Sequence, residues 1–66
     1  MKVKELLSGN VNNFFVSISD INDQDNFDGT VNSLRLNDGK NDIWKNAIVT
    51  SWEVCNKIIS INVVKE

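Results

Sequence analysis

Apolar and polar residues alternate most regularly through residues 47–64, A-I-V-T-S-W-E-V-C-N-K-I-I-S-I-N-V-V. Ile48, Thr50, Trp52 and Val54 share one parity, and Ile59, Ile61 and Val63 repeat the pattern after Asn56-Lys57. Successive strand side chains point to opposite faces, so each set forms a stripe. The pattern predicts two strands folded at Asn56-Lys57. Val54 then lies opposite Ile59, Trp52 opposite Ile61, and Thr50 opposite Val63. Both stripes share a face, as a hairpin with one buried side requires. Trp52 is expected in the core.

Upstream, residues 13–19 alternate in the same way, with Phe14, Val16 and Ile18 inward and Phe15, Ser17 and Ser19 outward. Residues 20–26 are polar and read as a hairpin loop. A second strand begins over residues 27–31, where Gly29 marks a bulge or a close backbone approach. Val3, Leu6 and Leu7 fall on one helical face, which predicts a two-turn helix over residues 1–7, closed by a left-handed Gly9. Residues 33–36 fit either a strand end or one helical turn. Residues 37–40 read as a turn, and residues 42–45 lead into the last hairpin. The expected architecture is a single α+β domain over residues 1–66. A short N-terminal helix packs on an antiparallel sheet of about four strands, arranged as two hairpins.

Size limits the core. A chain of 66 residues buries only about 60% of the surface its unfolded form exposes. Small domains compensate with disulfides, metals or self-association. Cys55 is the single cysteine and histidine is absent, which leaves self-association as the expected device. Apolar residues on the outward parity point the same way: Phe15, Val49, Ile58 and Val64 form the expected homo-oligomer interface, because one short helix covers one sheet face at most.

Charge narrows the partners. The net charge is −2, and Lys2, Lys4, Arg35, Lys40, Lys45, Lys57 and Lys65 are scattered, which disfavours duplex nucleic acid. No apolar run is long enough for a membrane span and no signal-peptide core opens the chain, so a cytoplasmic protein is expected. Abundant asparagine, isoleucine and lysine fit A/T-rich coding.

Candidate chemistry is sparse. Asp20, Asp23, Asp25 and Asp28 cluster in the polar loop. A calcium loop needs an acid or asparagine at its fifth position and glutamate at its twelfth. Starting at Asp20 gives Gln24 and Val31, and starting at Asp23 gives Phe27 and Leu34. Both registers fail, and no metal or other cofactor is expected. Without histidine, Cys55 has no imidazole partner and the commonest general base is missing. An enzyme is not expected. Trp44 can pack in the core or stack on a ring.

The opening M-K-V-K-E-L-L, the strand F-V-S-I-S, the segment F-D-G-T-V and the terminal hairpin resemble small accessory proteins of Firmicutes phages and prophages. The likeness spans nearly the whole chain and its motifs are mostly fold-determining. It implies a non-enzymatic antagonist of host defence acting in the host cytoplasm. Two modes are expected. The first is an oligomeric sponge that sequesters a signalling nucleotide, with Trp44 stacking and Arg35, Lys40 and Lys45 meeting phosphates. The alternative is an anti-CRISPR-like inhibitor of a host defence protein, which would present Asp20, Asp23, Asp25 and Asp28 to a basic surface.

Overall fold

The computed structural model describes residues 1–36 and 39–65. β1 (Phe15–Asp20) and β2 (Asp25–Thr30) form one antiparallel hairpin. β3 (Ile48–Cys55) and β4 (Ile58–Val64) form the other. The order across the sheet is β2-β1-β4-β3. The α+β class and the four-stranded sheet of two hairpins are those the pattern predicts. The sheet is mostly antiparallel, but β1 and β4 run parallel at its centre. Parallel neighbours need a long crossover, and here the second hairpin docks through its final strand after a helical connection. β4 is therefore interior. The edge strands are β2 and β3, so Val64 does not lie on an edge strand.

Three short helices cover one face: α1 (Val3–Leu6), α2 (Val31–Leu36) and α3 (Asp42–Lys45). None is long enough to persist alone, so each depends on its docked side chains. Val3, Leu7, Val31, Leu34 and Trp44 meet Val16, Ile18, Ile59, Ile61 and Val63 from the sheet in one core. Thr30 caps α2: its Oγ1 accepts the Ser33 N–H at 3.0 Å, and its carbonyl accepts the Ser33 hydroxyl at 2.8 Å. That cap decides the ambiguous segment in favour of helix. Asn41, buried, donates from Nδ2 to the Leu34 carbonyl at 3.4 Å and joins α3 to α2.

Several expectations change in detail. Gly9 does not adopt positive φ; α1 ends with Leu7 at φ −96. The carbonyls of Leu7 and Gly9 both accept from Arg35, so they need no left-handed closure. The first hairpin turns within residues 21–24, a tighter turn than the polar run of 20–26 suggests, because Gln24 takes φ 56 and Asp20 organises the turn. Gly29 lies in an unbroken ladder opposite Val16. A Cβ there would come 2.9 Å from Ser33 Oγ, so the close-approach reading holds and the bulge reading does not. Within the expected turn at 37–40, Asn37 and Asp38 lie outside the described residues, and Gly39 takes φ 79.

The second hairpin turns at Asn56 and Lys57, with φ 52 and 61. Two adjacent positive-φ residues fit the primed turns that suit strand twist. Val54 pairs with Ile59 and Trp52 with Ile61, as the pattern predicts. The third pair differs. The register shifts between Val49 and Ser51, and Val49 pairs with Val63. Thr50 is the extra residue, its hydroxyl donating to the Asn62 carbonyl at 3.0 Å. The shift reverses parity, so Val49 packs against the core and does not face outward.

Candidate functional site

The covered face stops short of β3. Ile61 is fully buried, yet its cross-strand neighbour Trp52 is 49% exposed, and Val54 beside it is equally exposed. Trp52 has the predicted face and partner but is not core. It stands on the edge strand, where the short helices do not reach. Burial depends on what lies above a strand, which alternation does not encode.

The outer edge of β3 is divided. Lys2 bridges Ile48, with the Val3 N–H donating to the Ala47 carbonyl at 3.0 Å and the Val49 N–H donating to the Met1 carbonyl at 2.8 Å. The N-terminal segment thus closes the edge as far as Val49. Beyond the bulge the ladder fixes the direction of every backbone group. The carbonyls of Lys57 and Val63 accept from Phe15 and Ile21 on the β1 side. Even-numbered β4 residues therefore face β3, and Ser51, Glu53 and Cys55 face them in return. The N–H and C=O groups of Trp52 and Val54 point away from the sheet.

The uncovered face is polar in its middle. Asp28, Ser17, Ser60 and Glu53 form one row across the four strands, and Asn26, Ser19, Asn62 and Ser51 form the next. Asn62 Nδ2 donates to Ser51 Oγ at 3.0 Å. Ser51, Trp52, Glu53, Ser60 and Asn62 line a surface depression there. At one end Phe15 and Ile58 are register partners, 58% and 46% exposed, with Cys55 beyond them. Among the described residues, no strand residue on this face carries positive charge.

The four residues expected to hold a nucleotide do not present a common surface. Trp44 is 7% exposed, 6.5 Å from the Phe27 ring, with Lys65 Nζ 4.8 Å above its own ring. It takes the core role. Arg35 donates to Asn12 Oδ1 as well as to the Leu7 and Gly9 carbonyls. Lys45 donates to the Arg35 carbonyl at 3.4 Å and lies 3.9 Å from Asp42. Lys40 is exposed.

The expected acidic cluster also divides. Asp20 is buried, and its Oδ1 accepts the N–H groups of Asn22 at 2.9 Å and Asp23 at 3.3 Å. Its other oxygen lies 3.8 Å from Lys65. A carboxylate so engaged shapes the turn and does not meet a partner, which corrects the expectation for Asp20. Asp25 lies 3.1 Å from Lys65. The hydrogen bond from Lys65 is the main cause that holds the Asp25 carboxyl below the usual aspartate range, helped by the Asn26 N–H and the Lys65 charge. The same bond raises Lys65 above the usual lysine value, against the opposing effect of desolvation. Asp23 and Asp28 are exposed. Lys65 has no signature in the sequence, since a lone lysine beyond a strand carries no periodic signal.

Among the described residues, no group of three or more Cys, Asp or Glu side chains is placed to hold a metal, and no helix is long and apolar enough to cross a membrane. Comparison with known proteins finds no matching family model, no matching curated protein and no matching solved structure.

Proposed function

We propose that the chain is a non-enzymatic binding protein that antagonises host defence in the host cytoplasm, and that its target is a protein with a basic surface. The phage-type resemblance supplies the context. The carrying observation is the uncovered sheet face, where Asp28 and Glu53 share a row without a cation and adjoin the half-exposed Trp52 edge. Complementary charge speeds encounter and excludes wrong partners, and a partly exposed tryptophan is a favoured anchor. Nucleotide sequestration has weaker support, because Trp44 is buried and Arg35 and Lys45 donate to backbone carbonyls.

The test is immobilised chain in host lysate at low salt. A specific host protein should be retained, released by added salt, and lost with the Asp28→Lys/Glu53→Lys double variant while the melt is unchanged. A nucleotide released on heating protein purified from cells, with no protein retained, would instead favour the sponge.

Self-association has its own supporting observation. Phe15 and Ile58 are exposed neighbours on the same face, and a symmetric second copy would cover both. The melting temperature should then rise with protein concentration, and Ile58→Lys should remove that dependence. A melt independent of concentration in the parent would rule this association out.

A further inference from the structure

Sheet edges are templates for strand pairing, and proteins blunt them with charge, proline, cover or bulges. The β3 edge is blunted only in part. Met1–Val3 covers it to Val49, and the bulge follows at Thr50. Residues 51–55 run on to the turn with no proline, and Glu53 is their one charge. Trp52 and Val54 each direct an N–H and a C=O outward. Their side chains are half exposed on the helix-bearing face, while Glu53 stands on the other. Four backbone groups and an alternating apolar–acidic–apolar trio are thus presented on one short edge.

We infer that this edge takes up an extended segment of another protein by strand addition, with apolar side chains set against Trp52 and Val54 and a lysine or arginine set against Glu53. The inference rests on the reading that the chain binds a protein, and it names the segment bound. Backbone pairing would supply affinity, and the alternating side chains would supply specificity.

The register distinguishes this partner from a second copy. The open stretch is bounded by the N-terminal segment on one side and by the turn on the other. An antiparallel copy using the outward groups of both Trp52 and Val54 must pair each with the other and set Glu53 against its own counterpart. Like charges directly opposite are destabilising, and opposite charges stabilise. A foreign strand with a cation at that position removes the repulsion and gains an ion pair.

The probe is a blocked pentapeptide, Thr-Val-Lys-Val-Thr, titrated into the full chain and followed by amide NMR, with Thr-Val-Glu-Val-Thr as control. The lysine peptide should move the Trp52 and Val54 amides and bind roughly fivefold more tightly than the glutamate peptide. Glu53→Lys should reverse that order. Val54→Pro should abolish binding without unfolding the chain, because the N–H it removes makes no bond to β4. Equal binding of both peptides, no movement of these amides at millimolar peptide, or full binding by Val54→Pro would overturn the inference. Movement of the same amides on concentrating the protein alone would assign the edge to a second copy and overturn it equally. Host-protein capture that survives Val54→Pro would refute strand addition and leave the protein-binding reading standing. Failure of capture with peptide binding intact would do the reverse.

Discussion

The two edges of the sheet are built differently. β2 is six residues long and carries Asp25 and Asp28; Asp25 is clasped by Lys65, and Phe27 packs inward toward Trp44. β3 is eight residues long, shielded at its start by Met1–Val3, and open from the bulge to the turn. The Asp25–Lys65 ion pair and the exposed Asp28 blunt β2 with charge, while the end of β3 presents Trp52 and Val54 beside the single charge of Glu53. Both strands lie at the limits of the same small core, so the size of the core does not explain the difference. A 66-residue chain gains little from leaving a tryptophan half in water. That asymmetry is the main reason to place function at β3.

The largest effect is expected at Ile61, the cross-strand partner of Trp52. Ile61→Ala should cost about 2–5 kcal/mol, as for other buried aliphatic truncations. With a total stability of only about 3–10 kcal/mol for a chain of this size, that loss would unfold much of the protein. Trp52→Ala should cost less than about 2 kcal/mol, since half its surface already meets water. Urea denaturation of both variants checks the pair. Equal losses would place Trp52 in the core and remove its side chain from the exposed surface of β3.

Proline at neighbouring positions of β3 comes next. Glu53→Pro removes an N–H that faces β4 and should cost roughly 3 kcal/mol. Val54→Pro removes one that faces outward and should cost about 1 kcal/mol or less. A reversed order in thermal melts would mean that the ladder runs in the other phase.

The smallest effect belongs to the clasped edge. The lowered Asp25 value contributes stability above the ordinary aspartate range, and this is lost as pH falls through the lowered value. The raised Lys65 value contributes fully below the ordinary lysine value, and this is lost as pH rises through the raised one. The pair therefore supports β2 across neutral pH and fades at both ends. Asp25→Asn should flatten both limbs slightly in melting temperature against pH. Superimposable profiles for parent and variant would show that the clasp contributes nothing.

Much of the fold was legible because alternation and turn chemistry are local. The Asn56-Lys57 turn, two of the three pairs across it, and the inward Val3, Leu7, Val16 and Ile18 all followed from spacing. The exposure of Trp52 did not, because it depends on helices contributed by distant segments. The parallel β1–β4 junction was hidden for the same reason: no local signal orders two hairpins within a sheet. One extra residue at Thr50 turns Val49 inward against its alternation, since a bulge reverses parity without any glycine to announce it. For the site, the acidic run points to Asp28, which is exposed. Glu53 carries no such signal in the sequence, because a single acid in a strand gains meaning only when its row and edge are known.

Amide hydrogen exchange along β3, followed residue by residue in dilute protein, tests the open edge most directly. The ladder predicts alternation: Glu53 and Cys55 protected by their bonds to Ser60 and Ile58, Trp52 and Val54 exchanging near the rate of unstructured chain. Uniform protection of all four amides in dilute protein would show that the edge is already closed, and would contradict the account.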